Sequence, residues 1–196
     1  MKRYCLYLFI LIGISCSAEL KAQRNGTVYK GNDPAVRYTG RTLVSSDGSV
    51  AFDWVGTYLE TRFTGGRLSV KVSETGTSYY NVFVDGKLHK VVKVCGTDTL
   101  IHLVSGIDKR IHSLKIQKRS EGEFGKTTIH QFVLSGSGRL AEEPAVRTRH
   151  IEFIGNSLTC GYGTDGKHRD EPFLVETENC NLTFASMVAR YYDADY

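Results

Sequence analysis

From about residue 36 to residue 135 the chain alternates apolar and polar side chains with a period of two, and no helical period interrupts the run. "YLETRF" and "LSVKVS" alternate cleanly, and "TLIHLV", "HSLKIQKR" and "TTIHQFVLS" follow. "YYNVFVDGKLHKVVKV" reads as two strands around Asp85-Gly86, a pair of residues suited to the positive φ of a tight hairpin turn. Ser46-Asp47-Gly48, Gly65-Gly66, Gly76, Gly96, Gly106 and Gly122 punctuate the strands. Short strands at near-regular spacing with glycine turns predict a β-sandwich or jelly roll over residues 24–140.

The period then changes. Residues 141–150 hold small, charged and proline residues and read as a linker. "HIEFIG" is a short apolar run of the kind that forms a buried parallel strand. In "NLTFASMVARYYDADY" Phe184, Val188 and Tyr191 or Tyr192 recur at helical spacing, with Asn181 or Thr183 placed to cap. Strand, turn and helix open an α/β unit, so residues 151–196 are expected to be the start of a flavodoxin-like α/β domain. These 46 residues are too few for a doubly wound domain, and the expectation is a fragment of one.

Composition bounds the partners. Formal net charge is +4, and it falls to about +2 without residues 1–22, which carry Lys2, Arg3 and Lys21 against Glu19. With no basic stripe, no nucleic-acid partner is expected. Residues 1–22 read as a signal peptide, with a basic start followed by the apolar run "YCLYLFILIGISCSA", too short for a membrane span. Export to the periplasm or outside the cell is expected, with lipidation at Cys16 as an alternative fate and no other membrane association. Cys95, Cys160 and Cys180 would remain in the exported chain. Cys160 and Cys180 are close enough in sequence to pair, and buried free thiols are the competing reading. No CxxC or Cys/His cluster occurs, so neither a metal nor another cofactor is expected. Oligomeric state is not legible.

Ser157, in "HIEFIGNSLTCGYG", stands just past an apolar run on a tight turn. Such a place exposes a hydroxyl on a fixed backbone and sets N–H groups near a developing oxyanion. The spacing is not G-x-S-x-G, and from the residues alone nucleophile and simple turn residue are equal readings. Cys160, three residues on, is a nucleophile by chemistry with no base in view. Ser157 needs a base as well. His168, in the polar loop "TDGKHRDEP", is the only histidine after it and is a poor candidate, while His89, His102, His112 and His130 fall in strands and read as structural. Trp54, Tyr58, Tyr79 and Tyr80 offer a second reading, a sugar-stacking platform on the sandwich, against which stands simple core filling.

"IEFIGNSLTCGYG" resembles the first motif of the SGNH, or GDSL, hydrolases. "GRTL" at 40–43, "DWVGTYLETRFTG" at 53–65, "VFVDGK" at 82–87, "HSLKIQKRSEGEFG" at 112–125 and "TENCNLTFASMVARYYDADY" are similar, in order, to one branch, carbohydrate esterase family 2. The resemblance implies a jelly roll followed by an SGNH domain, and a deacetylase acting on acetylated plant polysaccharide such as xylan or glucomannan. It implies that Ser157 is the nucleophile and its own N–H one oxyanion donor. Asn156 stands where the wider superfamily has Asp, keeping size and hydrogen-bonding reach while losing charge. The family's histidine and its remaining oxyanion donors lie in later motifs that these 196 residues do not contain, so this chain by itself is expected to be inactive. A carbohydrate-binding or structural module without catalysis is the alternative.

Overall fold

The computed structural model describes residues 26–142 and 144–196; the expected signal peptide, residues 1–22, lies outside the described residues. Eight strands form one curled antiparallel sheet: β1 (Thr27–Lys30), β2 (Val36–Thr39), β3 (Leu43–Val44), β4 (Val50–Phe52), β5 (Tyr58–Val84), β6 (Lys87–Lys118), β7 (Thr127–Leu134) and β8 (Arg139–Leu140). This is the jelly-roll-type sandwich that the period of two predicts.

β5 and β6 each merge several of the expected strands. The ladder runs from Tyr58–Thr64 against Ile111–Gln117, shifts register around Gly66, continues with Leu68–Val72 against Thr99–Val104, and shifts again near Gly76. It closes at Asp85-Gly86, where φ values of 50° and 75° make the tight turn. The bends fold the strand back on itself, so Tyr80–Val84 lies between Leu114–Lys118 on one side and Lys87–Val92 on the other. β7 pairs with β5 on one edge and with β1 and β4 on the other. The alternating apolar side chains meet in one core, in which Leu59, Phe63, Leu68, Val82, Phe132 and Leu134 are wholly buried.

Three histidines of the sheet are bonded in place, while His89 is exposed. His112 sits between Asp85 (2.7 Å) and Asp108 (2.9 Å), and its pKa is raised because these carboxylates outweigh the opposing effect of burial. His130 lies within hydrogen-bonding distance of Ser49 (3.1 Å) and Ser73 (2.8 Å), and His102 of Ser69 (2.8 Å).

After the sheet come β9 (Arg149–His150), α1 (Ser157–Cys160), α2 (Phe184–Tyr191) and β10 (Ala194–Asp195). β9 and β10 pair in parallel, as an α/β opening requires. Two expectations are corrected here. The apolar run His150–Gly155 is not a buried strand: the ladder stops at His150, and Ile154 is 93% exposed. Among the described residues β9 has a neighbour on one side only, and an apolar run is buried only where sheet and helices cover it. The apolar stripe expected of α2 also faces outward. Phe184, Val188 and Tyr191 are exposed, whereas Ala185, Ser186 and Ala189 are buried, because only small side chains allow the helix this close. Thr183 occupies the N-cap position, but its hydroxyl donates to the Cys180 carbonyl instead of capping.

Candidate active site

α1 is one turn long, and its start is built by two residues. Asn156 is the N-cap, with extended backbone; its side-chain Oδ1 accepts the Leu158 N–H (3.2 Å) and its carbonyl accepts those of Thr159 (2.9 Å) and Cys160 (3.0 Å). Gly155 is required by space: a Cβ there would run into the Thr159 side chain. The turn ends at Gly161 in the left-handed conformation, φ 89°, whose N–H reaches the Ser157 carbonyl. The carboxamide of Asn156 thus does the capping that a carboxylate would do. Ser157, at the first helical position, is exposed.

Ser157 lines a cleft of about 550 Å³ between the two parts of the chain. One wall is Gly155–Ser157, Cys160 and Tyr162; the other comes from the sheet domain, Asp53–Val55 and Glu121–Glu123. The four aromatics of the expected platform separate. Tyr58 and Tyr80 are buried, at 1% and 2% exposure, while Trp54 is 57% exposed on the cleft wall with the Arg41 guanidinium 5.2 Å from its ring centre. A different set assembles at the rim, where Tyr162 stacks on Phe173 (4.2 Å between centres) and Phe173 on Phe124 (5.6 Å).

The loop between Gly161 and Asn179 is tied to the sheet by polar contacts. Buried Arg119, just after β6, donates to the Glu178 carbonyl (3.0 Å) and the Glu176 carbonyl (3.2 Å) and pairs with Asp165. Asn179 bridges the Asp165 carboxylate (3.1 Å) and the Asn81 amide (3.0 Å). Cys160 and Cys180 are free thiols, so the staple expected of a bridge is supplied by Arg119 and Asn179. The Cys180 Sγ donates instead to the Lys118 carbonyl (3.3 Å), and burial pushes both thiols up to about 12. That leaves Cys160 without thiolate character and unsuited to act as the nucleophile.

Beneath the cleft Glu178 is wholly buried, and neither of its carboxylate oxygens has a hydrogen-bond partner among the described residues. Burial pushes its carboxyl up to about 8; the nearby Glu121 N–H counteracts this without reaching bonding geometry. Sequence reasoning missed Glu121 and Glu178. Their positions carry no short-range pattern, and only the fold brings residues 121, 160 and 178 together. No histidine is among the residues lining the cleft, and His168 sits in an exposed loop.

Residues 38–144 match the family model described as Carbohydrate esterase 2 N-terminal. Over 83% of its length the chain is 32% identical to the Cellulase/esterase CelE of Acetivibrio thermocellus, covering 20% of that protein. It is 30% identical to an Acetylxylan esterase / glucomannan deacetylase of Cellvibrio japonicus, covering 83% of the chain and 45% of the relative. A solved family two carbohydrate esterase from Clostridium thermocellum, in complex with cellohexaose, superposes with a TM-score of 0.78 at 32% identity, over 82% of this chain and 49% of that one. The chain therefore spans less than half the length of these relatives. The family model covers more than half of the chain, and its agreement with the curled sheet places this protein in carbohydrate esterase family 2, whose N-terminal domain it carries.

Proposed function

We propose that Ser157 is the nucleophile of an exported serine esterase that removes O-acetyl groups from plant polysaccharide such as xylan or glucomannan. The observation that carries this is the exposed Ser157 hydroxyl at the start of a capped turn, inside a cleft whose other wall the sheet domain supplies. The hydroxyl oxygen attacks the ester carbonyl carbon. The Ser157 N–H, which none of the Asn156 acceptors takes up, is one donor to the resulting oxyanion. The sugar is released as its free hydroxyl, and water then frees acetate from the acyl-serine. The base and the remaining oxyanion donors come from parts of the family fold outside these 196 residues. The exposed Ile154, Leu158, Phe184, Met187, Val188 and Tyr191 are the surface those parts cover.

The test is acetate release from acetylated xylan by a protein of the relatives' length, with Ser157→Ala beside it. Removing the nucleophile should lower the rate by several orders of magnitude, and an unchanged rate would refute the assignment. The 196-residue chain alone should show no turnover. Activity of that chain which disappears in His168→Ala would mean that the base lies in the exposed loop. Exposed Trp54 favours a second reading, glycan binding without hydrolysis. Oligosaccharide binding that Trp54→Ala abolishes, in a protein with no esterase rate, would support it.

A further inference from the structure

Glu121, Cys160 and Glu178 come from three separate segments: the loop after β6, the last residue of α1, and the end of the 161–179 loop. Their candidate ligand atoms, two carboxylate oxygens and one sulfur, all lie within 4.8 Å of one another. Glu178 is the independent observation. Its side chain is fully buried, both oxygens are orphaned, and it is aimed at the other two groups. A buried carboxylate without partners is costly, and proteins rarely retain one unless something binds it. Lys118, the nearest buried cation, is already committed through its Nζ to the Ser78 hydroxyl (2.7 Å) and the Gly125 carbonyl (3.0 Å). Arg119 is committed to the Glu178 main chain and to Asp165.

We propose that Glu121, Cys160 and Glu178 form a zinc site at the floor of the esterase cleft. A thiolate with two carboxylates is a mixed soft and hard donor set. The sulfur favours zinc over calcium or magnesium, which take oxygen alone. Three protein ligands leave the fourth tetrahedral position open. Glu121 and Cys160 line the same cleft as Ser157, which stands three residues before Cys160 on α1. On binding, the Cys160 thiol proton and any proton held by Glu178 pass to the buffer. The metal's charge then offsets the cost of holding a thiolate and carboxylates in this buried place.

The experiment titrates the metal-free chain with Zn²⁺ alone, and with Co²⁺ as the spectroscopic probe. Expected are one tight equivalent per chain, a thiolate-to-cobalt charge-transfer band, and protection of Cys160 from alkylation as read by peptide mapping. Cys160→Ser should abolish the band. It should weaken zinc by at least the roughly 10–100-fold that loss of an outer partner alone costs. Glu178→Gln should do the same; since that change is buried and could disturb folding, Glu121→Gln, at a partly exposed position, is the companion variant. Cys95→Ala, at an exposed site away from the cluster, should leave binding unchanged. The absence of a stoichiometric equivalent, or binding that survives both Cys160→Ser and Glu121→Gln, overturns the proposal. The first result would leave Glu178 as a buried neutral acid, and the second would place the metal elsewhere.

Discussion

At the scale of the residue, Asn156 and Gly155 matter as much as Ser157, because they decide where its hydroxyl points. The Asn156 carbonyl and carboxamide together hold three amides of a turn that has only four residues. Asn156→Ala removes one acceptor and should cost about 1 kcal/mol in urea denaturation, whereas Asn156→Asp keeps the acceptor and should be close to neutral. Gly155→Ala forces a methyl group into Thr159 and should cost more, about 1–3 kcal/mol. If the alanine at 156 proved silent and the alanine at 155 equally so, the turn would not be what orients the serine. The turn that carries Ser157 was legible from a short motif, since glycine, cap and hydroxyl are contiguous in the chain. Trp54 and Glu121 were not legible as walls of the same cleft, nor Glu178 as lying beneath it. They approach Ser157 only through sheet pairings and loop contacts between residues far apart in sequence.

At the scale of the element, two glycines of the β5–β6 ladder separate two physical causes. Gly86 sits at φ 75° with nothing within 4 Å of a would-be Cβ, so Gly86→Ala meets backbone strain alone and should cost about 1 kcal/mol. At Gly76 a Cβ would strike the backbone of Phe124, and the ladder could admit it only by opening. Gly76→Ala should therefore destabilise clearly more than Gly86→Ala in paired thermal or denaturant unfolding, and the reverse order would contradict the close approach of the two segments. The period of two and the Asp85-Gly86 pair made the strands and the hairpin readable, because alternation and turn chemistry are local. The merging of strands into β5 and β6 was not readable. Glycines such as Gly66 and Gly76 look like turns in sequence, yet here they mark bends within a continuous ladder. The outward face of α2 escaped for a related reason: helical spacing identifies an apolar stripe, but not what lies beside it.

At the scale of the whole molecule, the core and the seam obey different physics. The buried core draws only on residues 36–140, so the fragment 26–140 should fold alone, with a β-type circular dichroism spectrum and a cooperative transition. A random-coil spectrum would show that the later residues are needed. Those residues are joined to the sheet by an ionic seam. Arg37 pairs with Glu60 and with Asp195 (2.7 Å), Arg147 pairs with Glu60 (3.0 Å) and Asp195 (2.9 Å), and the Tyr58 hydroxyl donates to Asp195 (2.6 Å). Asp195 is only 2% exposed. Burial by itself would raise its pKa, but the hydrogen bonds from Arg37, Tyr58 and Arg147 outweigh this and hold it at about 2. Its folded value is thus below that of an unfolded aspartate, near 3.9. The seam's contribution is accordingly complete above about pH 4 and is lost as pH falls toward 2. Asp195→Asn leaves Arg37 and Arg147 sharing the buried Glu60, with only the exposed Asp193 beside Arg147, and should cost about 3 kcal/mol at neutral pH, within the range for breaking a buried pair. It should also flatten the acid limb of the stability curve between pH 4 and pH 2. A variant that lost stability at pH 7 but kept the full acid limb would show that other carboxylates govern that limb. A variant neutral at both would show that packing of Tyr196 against Tyr58 and Phe153 holds the seam without the charges.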